Sequence, residues 1–162
     1  MRRTVSAALV GLAGCAFNPL MPDPRTASDR AREVVDRCAD LSPETDAEVL
    51  SPSIILKVDP SYNYVQSGND HVERLRGARL RVKAKGNLSA ETVELSLECH
   101  QAKVTLGSAQ ELEHDPYVFR GTWLDIDTRS AGDGFVVAVQ VDSVDKARAV
   151  LDRARQFIAS RQ

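Results

Sequence analysis

The stretch GARLRVKAKGNLSAETVELSLECHQAKVTLG, residues 77–107, holds the two periodicities that decide the fold. Its first part alternates, with Leu80 and Val82 set against Arg79, Arg81 and Lys83. Period-two alternation sends the apolar set to one face and the charged set to the other, so residues 78–84 are expected as a half-buried strand with a basic outer face. The second part switches to helical spacing. Ser89 is placed to cap, Leu88 and Val93 are placed as a hydrophobic staple, and Gly107 is a natural stop. Val93, Leu97, His100 and Val104 share one stripe, widened by Leu95, Cys99, Ala102 and Leu106. A strand followed closely by a two-sided apolar helix predicts a sheet covered by that helix.

Working outward, Ser28 to about Asp40 reads as a helix, with Ala31, Val34, Val35 and Cys38 at helical spacing and start signals at Ser28 and Asp29. Ile54 to Val58 reads as a short strand ended by Asp59-Pro60, and Ser61 to Arg76 is polar and carries no clear period. Phe119–Asp127 and Gly134–Val141 read as two strands joined at Ser130-Ala131-Gly132-Asp133-Gly134. Asp142 and Ser143 open a last helix whose apolar face is Val144, Ala147, Leu151, Ala154 and Ile158. The expected order is α-β-β-α-β-β-α. It predicts a single small α+β domain over residues 27–162, a mainly antiparallel sheet with helices on one face. Strand 78–84, helix 89–106, the hairpin and the last helix resemble most of a ferredoxin-like split βαβ unit, and the 54–58 strand could take the remaining sheet position.

Composition fits one packed domain: 162 residues, 43% hydrophobic and 27% charged. Aromatics are 5%, so the core must rest on Val, Leu, Ile and Ala, and stacking platforms for bases are scarce.

The N-terminal segment is of another kind. Met1-Arg2-Arg3 is a short positive start, Val5 to Leu12 is apolar or small, and Leu12-Ala13-Gly14-Cys15 follows at once. The run is too short to span a bilayer as a helix, which takes roughly 20 residues. Its parts are those of a secretory signal. The tetrad resembles the lipobox of bacterial lipoproteins. That resemblance implies a signal peptide over residues 1–14, removed before Cys15, and acyl chains on Cys15 that anchor the chain in a lipid bilayer. Residues 15–26 follow as a tether in which Pro19, Pro22 and Pro24 prevent a helix. Ala16 at the second mature position implies, by the sorting preference of the class, the outer membrane with the domain in the periplasm. Without Arg2 and Arg3 the mature chain holds 19 basic and 23 acidic residues, net −4. That balance predicts no nucleic-acid partner.

Export places Cys38 and Cys99 in an oxidising space, both on inner faces of expected helices, and a bridge between them is expected. A metal reading would gather Cys99, His100, His114 and His71, but no pair has ligand spacing, and bridged thiols bind no metal. His100 is expected as a packed histidine bonded to a neighbouring carbonyl. Glu111, Glu113, His114 and Asp115 read as a solvated acidic turn. No nucleophile elbow and no phosphate loop is present. Glu98-Cys99-His100-Gln101-Ala102, with Gly132-Asp133-Gly134-Phe135, resembles bacterial envelope proteins, a resemblance that implies no activity.

The expectation is therefore a membrane-anchored lipoprotein with a non-enzymatic interaction domain, no cofactor, and an envelope protein or the cell wall as partner. Its contact residues are expected at Tyr62 and Tyr64 in the segment 61–76, and at Tyr117 in the loop 111–117. The alternatives are a periplasmic ligand- or metal-handling lipoprotein and a small hydrolase.

Overall fold

The alternation in residues 77–83 becomes the centre of a four-stranded antiparallel sheet. A computed structural model describes residues 25–67, 70–83 and 88–160. The expected signal peptide, Cys15, most of the expected tether and Ala84 lie outside the described residues. Strands β1 (Ile55–Ser67), β2 (Asp70–Lys83), β3 (Asp125–Ala131) and β4 (Gly134–Gln140) lie in the order β1-β2-β4-β3. Helices α1 (Ala27–Val35), α2 (Pro43–Val49), α3 (Ala90–Thr105) and α4 (Val144–Ala159) complete the domain, with 3-10 turns at Asp36–Asp40 and Pro52–Ile54. The α+β class and the antiparallel sheet are as the sequence predicts.

Each inner face follows its alternation. Ala78, Leu80 and Val82 of β2, Ile126 of β3, and Phe135, Val137 and Val139 of β4 are buried. They form one core with Val93 and Leu97 of α3 and with Ala147, Val150, Leu151, Ala154 and Phe157 of α4. Ser89 caps α3 as expected, its hydroxyl accepting from the Thr92 amide at 3.1 Å. The other side of α3 is buried too: Cys99 and Ala102 pack with Ala31, Val34 and Cys38, so α1 lies on α3. Strands β2 and β3 both run antiparallel to β4 between them, so β2–α3–β3 is a split crossover. The outer strand β1 precedes this unit in the chain. A ferredoxin-like order would bring that strand in after the last helix.

Several elements differ from the sequence reading, and β2 begins at Asp70 rather than Ala78. The first helix starts one residue earlier, with Thr26 and Asp29 closing a capping box, and it tightens to a 3-10 turn after Val35. Helix α2 was not anticipated; Ser42 caps it and Pro43 takes its first turn, but its 7 residues are too few to show a period. Strand β1 does not stop at Asp59-Pro60: it runs 13 residues, because an edge strand tolerates a proline whose missing N–H faces no partner. Phe119–Thr122 is an isolated bridge rather than strand, and β3 begins only at Asp125. The expected hairpin turn closes on Gly132, whose φ of +63° suits glycine.

Candidate functional site

The most distinctive surface is the far half of the β1–β2 hairpin. Strand β4 pairs with β2 only from Gly77 to Lys83, whereas β1 stays paired with β2 out to Ser67↔Asp70. Residues 62–67 and 70–75 thus form a two-stranded arm that runs past the sheet. An isolated ribbon of this size has little stability of its own, so its base must be held. Arg76 provides part of that hold: Nη1 pairs with Asp142 Oδ1 at 2.6 Å and its carbonyl accepts from the Val141 amide at 2.8 Å. Arg74 donates to the Asp142 carbonyl. The register shifts at this point, between Ser61 and Tyr62. Gly77, at φ +144°, lies so close to β4 that a Cβ there would come 2.1 Å from the Val139 carbonyl oxygen. Only glycine fits this kink.

The arm exposes large side chains. Tyr62 is 46% exposed, Tyr64 68% and Val72 51%. Tyr62, Tyr64 and Gln66 share one face and Val65 lies opposite Val72 on the other. The Tyr64 hydroxyl donates to Glu73 across the ribbon at 2.9 Å, and this bond raises the phenol's pKa above its ordinary value. The sequence reading placed contacts at Tyr62 and Tyr64, and the two do stand together on an exposed element. It missed that the element is a strand pair.

Tyr117, the third expected contact residue, requires a correction. It is 1% exposed, within the main core, and meets Phe157 edge-on with ring centroids 6.2 Å apart. Burial, with Asp115 nearby, pushes its phenol well above the ordinary range. The loop 111–117 is likewise not simply a solvated turn. Asp115 is fully buried: its Oδ2 accepts from His100 Nε2 at 2.6 Å and from the Leu112 amide at 3.3 Å, and its Oδ1 accepts from the Tyr117 amide at 2.9 Å. The partner of His100 is therefore a carboxylate, not the carbonyl expected. Gln101 beside it is fully buried, and its side chain brackets Leu124 with bonds to that residue's carbonyl (3.1 Å) and amide (2.8 Å). These two pairs fasten the long connection between α3 and β3 to the core. Glu111 adds an ion pair to Arg153 of α4. The acidic pattern of the loop gave no sign of which carboxylate turns inward.

Cys38 and Cys99 form the expected disulfide, with Cα atoms 5.7 Å apart, tying α1's continuation to α3. The thiols that a metal reading needs are thus committed to each other. His100 is engaged by Asp115, His114 is exposed at the loop's tip, and His71 lies on the arm. Among the described residues no group of three or more His, Cys, Asp or Glu side chains is arranged to hold a metal ion. No described helix is long and apolar enough to cross a membrane.

The second notable surface is the sheet face turned away from the helices. Asp59, Ser61, Arg79, Arg81, Asp127, Arg129 and Gln140 ring a shallow hollow of about 470 Å³ floored by Val136 and Ala138. Asp59 pairs with Lys57 at 2.8 Å and Asp127 with Arg129 at 2.9 Å, so the face's excess positive charge centres on Arg79 and Arg81. This is the basic outer face that the alternation predicts. Comparison of the chain with protein-family models, with curated protein sequences and with solved structures returned no match.

Proposed function

We propose that this chain is a membrane-anchored envelope lipoprotein whose domain acts by binding a partner, without turnover of its own. The anchor reading rests on the charged start and the Leu12-Ala13-Gly14-Cys15 tetrad. The binding reading rests on one structural observation: an arm past the sheet, fixed at its base by Arg74 and Arg76, that holds Tyr62 and Tyr64 in solvent. Tyrosine is enriched at interface cores because it offers large contact area with few rotatable bonds. The non-enzymatic reading draws support from the His100–Asp115 pair. It is buried, and apart from each other its partners are backbone amides rather than a hydroxyl or thiol nucleophile. The proposed setting is the periplasmic side of the outer membrane, and the proposed partner is another envelope protein or the cell wall.

Crosslinking in intact cells tests the binding surface. Wild-type chain should capture a partner, and Tyr62→Ala with Tyr64→Ala should abolish capture while the unfolding midpoint is kept. No capture by the wild type, or capture unchanged in the folded double variant, removes the arm from the reading.

A further inference from the structure

Among the described strands, β1 is an edge strand along its whole length, pairing with β2 alone. Exposed edges are normally blunted by charge, proline or shortness, because their free amides and carbonyls accept any other strand. The first part of β1 is blunted in that way, by Lys57, Asp59 and Pro60. The opposite edge, β3, is only 7 residues long and carries Asp125, Asp127 and Arg129. Residues 61–67, Ser-Tyr-Asn-Tyr-Val-Gln-Ser, have none of these devices: no charge, no proline and no glycine. Tyr62, Tyr64 and Val65 within them are exposed. Such a segment, high in β-propensity and uncharged, is primed for strand addition.

We infer that residues 61–67 pair antiparallel with the same residues of a second copy of this chain, joining two sheets edge to edge. The inference rests on the reading of the arm as the contact surface and names its partner. A two-fold axis normal to the sheet at Tyr64 sets Tyr64 beside its own equivalent, Tyr62 opposite Gln66, and Asn63 opposite Val65. The central Tyr64–Tyr64 pair is aromatic on aromatic, a favourable cross-strand pair, and no like charges meet along the segment. The two-fold closes the contact, because each copy has one unblunted edge among its described strands. Seven residues per strand make a small interface of the transient class. Confinement to a membrane by the acyl anchor would raise the local concentration that such a contact needs.

The test uses the full chain carrying Cys15→Ser, with the Cys38–Cys99 bridge formed, so that pairing is read apart from anchoring. Sedimentation over a concentration series should show a monomer–dimer equilibrium. Asn63→Lys with Val65→Lys should abolish the dimer, as should Asn63→Glu with Val65→Glu. Mixing the lysine and glutamate variants should restore a heterodimer, which also shows that both are folded. A wild-type chain that stays monomeric throughout, or a dimer unmoved by both variants, overturns the inference. Partner capture through Tyr62 and Tyr64 in cells would then still stand or fall by its own experiment.

Discussion

Removing the Asp115 carboxylate is the sharpest probe of how the long α3–β3 connection is held. The side chain is fully buried and serves three donors: His100 Nε2, the Tyr117 amide and the Leu112 amide. Asp115→Ala leaves the first two donors buried without an acceptor. Each such orphan costs about 1–3 kcal/mol, so the variant should lose about 4 kcal/mol. That is a large part of the 5–15 kcal/mol typical of a domain. His100→Ala should cost a similar amount, by stranding the carboxylate and leaving a cavity where the buried ring lay. Because the two residues share one bond, their effects should not add. A double-mutant cycle by urea unfolding should give a coupling of about 1–3 kcal/mol. Asp115→Asn keeps an acceptor for one of the two short bonds and should cost about half as much as Asp115→Ala. In a thermal scan Asp115→Ala should unfold about 10 °C or more below wild type. A cost below about 1 kcal/mol for Asp115→Ala, or strictly additive single variants, refutes the view that this pair fastens the loop.

Three further outcomes follow from the same structure. Opening the Cys38–Cys99 bridge, by reduction or by Cys38→Ser with Cys99→Ser, releases a loop of sequence separation 61 and should cost about 4 kcal/mol in the chain-entropy model, read as a lower urea midpoint. Gly77→Ala should be among the most damaging small changes, at about 3 kcal/mol or more, because its Cβ meets the Val139 carbonyl in a left-handed region; a fully stable variant in the same unfolding assay would contradict the bulge geometry. Arg79→Glu with Arg81→Glu, on the open sheet face, should leave stability within about 0.5 kcal/mol of wild type, since both side chains are exposed and make no ion pair among the described residues.

The sheet and its covering helices were readable in the sequence because burial there is one-sided. Leu80 and Val82 against Arg79 and Arg81 could hardly be anything but a strand with one wet face. Ser89 and Gly107 mark the ends of α3 by their own chemistry, and Cys38 and Cys99 fell on inner faces that do meet. The arm was not readable for the same physical reason in reverse. Beyond Leu75, which still touches the core, the described residues of the ribbon are exposed on both faces, so they show no hydrophobic period. Pro60, read as a stop, is compatible with an edge strand. Which residues of the 111–117 loop turn inward depends on contacts with His100 and α4 far away in sequence. Tyr117 and Asp115 therefore looked like solvent-facing residues of an acidic turn. The lipobox resemblance concerns residues on which the described fold has no bearing.

If Cys15 becomes the acylated N-terminus of a protein held at a membrane, the intact mass of the chain extracted from the membrane fraction will show it. The expected species is a polypeptide beginning at Cys15, heavier by two or more acyl groups, since a single chain gives only marginal attachment. Reduction should raise its mass by the two hydrogens of the Cys38–Cys99 bridge. An unmodified mass that includes residues 1–14, or a mature chain without lipid on Cys15, contradicts the anchor.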